Sequence, residues 1–126
     1  MVNSNLGPLP AGPVRTIERE ELRRELAAGR PVKLVMSLSE WAFREKRIPG
    51  SLHFHTPEEM LSTLGKDDEI VVYCSEPSCI ASLAAYRRLL DHGYTNVRRY
   101  AGGLSDWEAA GLPLEGEKSP HAQPER

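Results

Sequence analysis

The stretch EIVVYCSEPSCIASLAAYRRLL, residues 69–90, decides the fold of this chain. Residues 70–73 form a run of branched and aromatic side chains, which is typical of a central strand in a parallel sheet. A short polar loop follows Cys74, and residues 79 to about 92 have the apolar spacing of a helix. A buried strand, a tight loop and a helix in this order indicate one unit of an α/β layer fold.

Apolar residues recur at helical spacing after the loop and predict the helix face that packs against the core. They are Ile80, Leu83, Ala84, Leu89 and Leu90. Gly93 is expected to end this helix, because glycine readily adopts the backbone conformation that closes a helix.

Helices and strands alternate in the same way upstream of this unit. Residues 18–29 have helical spacing, Val32–Met36 reads as a buried strand, and Pro57 can open a further helix at its first turn. Between the strand and this proline, we expect Trp41 and Phe43 to pack against the core rather than to take part in function.

The composition is that of one globular domain. The chain has 126 residues, of which 40% are hydrophobic and 27% charged, enough for one core and too few for two ordinary domains. We assign the domain to residues 14–115. Residues 1–13 and 116–126 are rich in proline, glycine and polar residues without apolar periodicity, so they read as flexible tails.

The charge and the cysteine content limit which binding partners and which cellular compartment we expect for the protein. The net charge of −2 favours neither nucleic acid nor an anionic membrane as a partner, since both need a dominant basic surface. The sequence has no apolar run near the roughly 20 residues that span a bilayer, and no secretory signal at its start. Two cysteines, Cys74 and Cys79, are too few for a disulfide scaffold. We therefore expect a cytoplasmic protein whose cysteines have chemical rather than structural roles.

Cys74 occupies the carboxyl end of a predicted parallel strand, where α/β proteins commonly bind ligands. Loop N–H groups and the positive end of the next helix favour an anion there, so we expect the pKa of this thiol to lie below the ordinary value of about 8.5. An inert buried cysteine is the alternative, because free cysteine is among the most buried residue types. The position alone leaves both open.

Four segments resemble those of the rhodanese family and stand in the same order. RIPGS, residues 47–51, resembles the family's G-H-I-P-G-A turn, and VVYC, 71–74, resembles the strand that leads to its active cysteine. HGYTNV, 92–97, is similar to a common x-G-Y-x-N-V stretch, and GGLSDWEAAGLP, 102–113, to G-G-x-x-x-W-x-x-A-G-x-P. We expect the paired glycines of the last segment to permit a tight turn and a close backbone approach, and Trp107 to pack in the core.

This resemblance implies a small central parallel sheet with helices on both faces, and a sulfurtransferase that carries sulfane sulfur as a persulfide on Cys74. The sulfur would come from thiosulfate or a persulfide donor and pass to a thiol, cyanide or a protein sulfur carrier, without a bound cofactor or metal. Loop N–H groups would stabilise the negative sulfur, as an oxyanion hole stabilises oxygen. The active-site loop would consist of Ser75, Glu76, Pro77, Ser78, Cys79 and Ile80.

Three departures from the family pattern bear on the site. The loop CSEPSC ends in Cys79 where many members have Arg, Thr or Ser, so no loop arginine holds an anionic donor, and Glu76 adds negative charge. A persulfide or protein donor becomes more plausible than thiosulfate for this reason. Residues 36–38 are Met-Ser-Leu where the family often reads Asp-Val-Arg, so the usual ion pair is lost. Lys46 and Arg47 replace Gly-His, and we favour solvated turn charges over added positive charge at the site.

Several alternatives stay open. Cys79 can pack as a small apolar residue, close a disulfide with Cys74, or accept sulfur itself. The domain can be a non-enzymatic interaction or regulatory module, or the two cysteines a thiol-disulfide redox pair. A phosphatase or arsenate reductase is disfavoured, because Ile80 stands where that chemistry needs arginine. A metal site at His53 and His55 is disfavoured, because their spacing is unlike zinc patterns.

Overall fold

The computed structural model describes residues 14–76 and 79–117. Pro77 and Ser78 of the loop, the predicted tail 1–13 and most of the predicted tail 116–126 lie outside the described residues. In chain order the helices and strands are α1 (Arg19–Ala27), β1 (Val32–Met36), α2 (Glu40–Glu45), α3 (Pro57–Thr63), β2 (Glu69–Tyr73), α4 (Ala81–Asp91), β3 (Val97–Tyr100) and α5 (Gly103–Ala109).

The three strands form one parallel sheet in the order β1-β2-β3. The register pairs Met36 with Tyr73 and Tyr73 with Tyr100, so all three strands end at the same edge of the sheet. β2 is central, and its last four residues are buried, as expected for a strand covered on both faces. The predicted α/β fold with a small parallel sheet is confirmed.

Helices cover both faces of the sheet and enclose two separate cores. Because strand side chains alternate, Val71 and Tyr73 belong to one core, while Ile70 and Val72 belong to the other. The helix residues that meet them are Leu22 of α1 and Trp107 of α5 in the first core, and Met60 of α3 and Tyr86 of α4 in the second. The buried position of Trp107 confirms its predicted packing role.

The prediction for the segment around α2 is only partly right. Phe43 packs against the first core, as expected, but Trp41 is 70% exposed and its predicted packing is wrong. The helix has six residues and none of them is buried. Such a short helix at the edge of the domain can turn only part of its surface inward, and Phe43 occupies that part.

The predicted core face of α4 is also partly wrong. Ile80 is 76% exposed and Ala84 is exposed, whereas the buried residues of the helix are Ser82, Tyr86 and Leu89. Ile80 precedes the helix as its N-cap, so helical spacing does not fix the direction of its side chain.

Tyr86 holds one side of α4 against the domain, and Gly93 follows the end of the helix. The hydroxyl of Tyr86 accepts a hydrogen bond from the backbone N–H of Arg15 at 2.9 Å, which holds the tyrosine side of α4 against the domain. Gly93, with a φ of 89°, follows the end of the helix as predicted. Among the residues that the structure describes, no helix combines the length and the apolar character needed to cross a bilayer.

Candidate functional site

Cys74 lies directly after β2, at the edge where the parallel strands end, and is 1% exposed. Its carbonyl oxygen accepts a hydrogen bond from the N–H of Leu104 at 2.9 Å. The carbonyl oxygen of Ser75 accepts a second one from the N–H of Ser105 at 2.8 Å. The first turn of α5 therefore holds the backbone at the start of the cysteine loop.

Gly103 makes this approach possible. Its φ is 70°, and a Cβ atom at this position would lie 2.8 Å from the carbonyl oxygen of Cys74 and 2.9 Å from the carbonyl carbon of Ser75. Real Cβ atoms do not come so close to backbone, so only glycine fits here. The close backbone approach predicted for the paired glycines is confirmed at Gly103, and the backbone that it approaches belongs to Cys74 and the two residues after it.

Cys74 and Cys79 form a disulfide across the loop, with their Cα atoms 6.2 Å apart. The structure thus contains the bond that one of the three interpretations of Cys79 anticipated. Cys79 is partly exposed, whereas Cys74 is buried, so the two sulfur-bearing residues differ in their access to solvent. The backbone N–H of Cys79 donates to the carbonyl oxygen of Glu76 at 3.1 Å, which joins the two described sides of the loop.

Three further residues of the predicted loop differ in exposure. Ser75 is half-buried, while Glu76 and Ile80 are exposed. α4 begins just after the loop without a side-chain cap and without an acidic residue in its first turn. The first N–H groups of a helix have no partner inside the helix, so the start of α4 adds partial positive charge on the side of the loop where Cys79 lies.

Arg99 on β3 is a residue of this region that the sequence analysis missed. Its Nε donates to the hydroxyl of Ser82 at 2.9 Å, and its Nη2 donates to the carbonyl oxygen of Cys79 at 3.2 Å. The guanidinium thereby links β3, the end of the loop and the first turn of α4. The neighbouring Arg98 points to the opposite face and pairs with Glu25 of α1.

A weak signal for Arg99 exists in the sequence. Two adjacent arginines within a short strand of a covered sheet must each find partners on a different face. The sequence does not say which faces these are or which helices lie there, so the contact with Cys79 could not be read from it.

Tyr73, the residue before Cys74, anchors the RIPGS turn. Its hydroxyl accepts a hydrogen bond from the N–H of Ile48 at 3.0 Å and lies 2.6 Å from the hydroxyl of Ser51. Burial is the largest cause that raises the pKa of Tyr73, to about 12, so the hydroxyl stays neutral at physiological pH. The RIPGS turn, which is part of the family resemblance, is therefore hydrogen-bonded to β2, the strand that precedes Cys74.

A pocket of about 320 Å³ adjoins the start of the loop. Ser75, Leu104 and Ser105 line it, together with the charged side chains of Glu45, Lys46 and Glu108. The Nζ atom of Lys46 lies 2.7 Å from a carboxylate oxygen of Glu108, so this lysine is not the simply solvated turn charge that we favoured.

The structure also shows the contacts of two further residues that depart from the family pattern. Met36 is buried in the first core and lines the same pocket, so an apolar side chain occupies the place of the lost acidic residue. The Cζ atom of Arg47 lies 4.6 Å from the centre of the Phe43 ring, and its Nε atom lies 3.4 Å from a carboxylate oxygen of Glu115. Arg47 is therefore also more than a solvated charge.

The histidines that the structure describes contact other groups of the protein. Nε2 of His53 lies 2.8 Å from the carbonyl oxygen of Leu38, and Nδ1 of His92 lies 2.9 Å from that of Arg88. His55 is exposed. Within residues 14–76 and 79–117, no group of three or more His, Cys, Asp or Glu side chains is placed to hold a metal ion.

Comparisons with known proteins agree with this geometry. The model of the Rhodanese-like domain family matches residues 18–110. A sulfurtransferase of Allochromatium vinosum is 30% identical over 103 residues, which cover 80% of this chain and 94% of that protein. The HTH-type transcriptional regulator Rv0324 of Mycobacterium tuberculosis is 33% identical over 105 residues, which cover 82% of this chain but only 46% of the regulator.

Solved structures give the same result for the fold. The BH2092 protein of Bacillus halodurans superposes with a TM-score of 0.78 at 21% identity, covering 86% of this chain and 82% of that one. The human single-domain sulfurtransferase TSTD1 superposes with a TM-score of 0.64 at 25% identity, covering 77% of this chain and 97% of that one.

Proposed function

The chain belongs to the rhodanese-like domain family, and from this premise we propose that it is a sulfurtransferase that carries sulfane sulfur as a persulfide on Cys74. The sulfurtransferase relative from Allochromatium, which matches over nearly its whole length, supports this reaction class. The observation that carries the proposal is the position of Cys74. It follows the last residue of the central strand and begins a loop that α5 holds on one side and that leads into α4 on the other.

The proposed first step is a nucleophilic displacement at sulfur. The thiolate of Cys74 attacks the sulfane sulfur of the donor, and the bond between that sulfur and the rest of the donor breaks. Sulfite leaves if the donor is thiosulfate, and a thiolate leaves if the donor is a persulfide. We expect loop N–H groups and the partial positive charge at the start of α4 to stabilise the negative outer sulfur of the new persulfide.

The same geometry favours a persulfide over thiosulfate as the donor. The loop holds Glu76, which is exposed, and Arg99 approaches it from β3 with its guanidinium already bonded to Cys79 and Ser82. Thiosulfate, which is doubly charged, would need an arginine at the loop opening that binds it through two hydrogen bonds. A persulfide carries less charge and depends less on such an arginine. The acceptor is a thiol, cyanide or a protein sulfur carrier, and we place the protein in the cytoplasm, where a reducing pool keeps the thiols free.

Two single-cysteine variants test the carrier role of Cys74. The reduced proteins are incubated with thiosulfate and, separately, with cysteine persulfide, and intact mass with peptide mapping then locates any added sulfur. C79S, which keeps only Cys74, should gain one sulfur atom on Cys74, and C74S should gain none. Loading of C74S at the rate of C79S would show that Cys74 is not the carrier.

Two other functions have some support. The mycobacterial regulator, of which this chain spans less than half, is consistent with an interaction or regulatory module. The Cys74–Cys79 disulfide is consistent with thiol-disulfide chemistry. The loading experiment separates them from the proposed function: a module takes up no sulfur on either cysteine, and a redox pair exchanges electrons with a disulfide substrate without gaining sulfur.

A further inference from the structure

The second cysteine of the loop is placed to act on the first. The disulfide shows that the Sγ atom of Cys79 reaches the Sγ atom of Cys74 itself. Cys79 is therefore close to the inner sulfur of a persulfide on Cys74, the sulfur that belongs to the protein. An attack there breaks the bond to the outer sulfur and releases it, whereas an attack on the outer sulfur would only move it to Cys79.

Contacts on both sides of the loop support this arrangement. The carbonyl oxygen of Cys74 is held by the N–H of Leu104, and the carbonyl oxygen of Cys79 is held by the guanidinium of Arg99. The same guanidinium is fixed by Ser82, which is 1% exposed in the first turn of α4. Because both cysteines have their backbones bonded to neighbouring elements, their proximity follows from the packing of the loop.

We propose that Cys79 is a resolving thiol that converts the Cys74 persulfide into free sulfide, so that the protein acts as a persulfide reductase. This inference rests on the proposed function, because it needs the loaded Cys74. The thiolate of Cys79 attacks the Sγ atom of Cys74, the Cys74–Cys79 bond forms, and the bond to the outer sulfur breaks. That sulfur takes a proton from water and leaves with the electron pair as hydrosulfide, so it is reduced by two electrons while the two cysteines are oxidised to the disulfide.

An external dithiol completes the cycle. Cys79 is partly exposed and Cys74 is buried, so a thiolate of the dithiol attacks the Sγ atom of Cys79 and displaces Cys74. The second thiol of the dithiol then attacks the mixed disulfide, frees Cys79 and leaves the dithiol oxidised. The net reaction turns one persulfide and one dithiol into one thiol, one hydrosulfide and one disulfide, so atoms and electrons balance.

A single-turnover experiment tests the resolving step. The wild-type protein and C79S are reduced, freed of reductant without oxygen, and mixed with one equivalent of thiosulfate or cysteine persulfide. A sulfide electrode follows release, and intact mass identifies the product. The wild-type protein should release about one sulfide per chain and end as the disulfide, whereas C79S should hold the added sulfur and release at least about tenfold less. Adding dithiothreitol should then restore turnover of the wild-type protein.

The outcomes separate this inference from the proposed function. A wild-type protein that keeps one added sulfur on Cys74 and releases no sulfide overturns the resolving role and leaves the carrier role intact. Added sulfur found on Cys79 overturns it in favour of a relay. If neither the wild-type protein nor C79S takes up or releases sulfur, the carrier role fails and the resolving role fails with it. C79A, which lacks the hydroxyl of C79S, should behave like C79S.

Discussion

Replacing Gly103 tests whether the contact between α5 and the cysteine loop is required by both the fold and the site. In G103A, the added Cβ would lie 2.8 Å from the carbonyl oxygen of Cys74 and 3.0 Å from the backbone nitrogen of Glu76. These are backbone atoms, so no side chain can turn away to relieve the clash. The loop, the first turn of α5, or both must move by several tenths of an ångström.

The magnitude has two parts, and a control variant separates them. An L-residue at the positive φ of Gly103 costs about 1 kcal/mol or somewhat more. Gly29 has a similar φ of 77°, and nothing lies within 4 Å of the position that a Cβ atom would take there, so G29A measures this cost alone. The clash in G103A adds about 1–3 kcal/mol, as overpacking does elsewhere, and strains the hydrogen bond from Leu104 to Cys74.

Urea unfolding and sulfur loading measure the two consequences. G103A should lose about 2–4 kcal/mol of unfolding free energy, against about 1 kcal/mol for G29A. Because the displaced backbone carries the proposed nucleophile, G103A should also load sulfur at least about tenfold more slowly, whereas G29A should load at the wild-type rate. If G103A loses no more stability than G29A and loads normally, the contact with the cysteine loop has no energetic or functional weight.

Two further predictions concern stability. Y73F removes the acceptor of the buried N–H of Ile48 and should lower the unfolding free energy by about 2 kcal/mol; a loss under about 0.5 kcal/mol would show that the N–H finds another partner. E25Q removes the carboxylate whose pKa is lowered from 4.5, chiefly by the hydrogen bond from Arg98, in a pair that is 15% and 13% exposed. A lowered pKa in the folded state stabilises above the ordinary pKa, and this stabilisation is lost as the pH falls through the folded value. The wild-type protein should therefore exceed E25Q by about 2 kcal/mol near pH 7, and urea titrations should show the difference shrinking below about pH 4; a constant difference would contradict this assignment.

The features of the site that depend on residues close together in the sequence were predictable. The run of branched residues before Cys74 and the helical spacing after Cys79 were enough to place the cysteine at the carboxyl end of a buried central strand. Glycine at position 103 was also interpretable, because only glycine tolerates both a positive φ and close backbone. These features depend on neighbours in sequence or on the chemistry of one residue type.

The predictions that were wrong concerned the direction in which a side chain points. Helical spacing gave apolar positions in α4 but left Ile80, which lies before the first turn, and Ala84 on the wrong face. Trp41 was expected inside because of its size, yet its helix is too short and too peripheral to bury it. A pattern of apolar residues indicates possible inward faces, and in the folded chain the buried face of α4 is the one that carries Ser82, Tyr86 and Leu89.

The sequence by itself determined the alternation of strands and helices, the position of Cys74 after the central strand and the family, since these follow from periodicity, turn chemistry and short motifs. Only the tertiary structure decided that Arg99 on β3 holds the carbonyl of Cys79, and that Cys79 reaches Cys74. The physical reason is that residues far apart in the chain become neighbours only when strands pair in register and each helix chooses a face of the sheet. Those choices are made by the packing of the whole core.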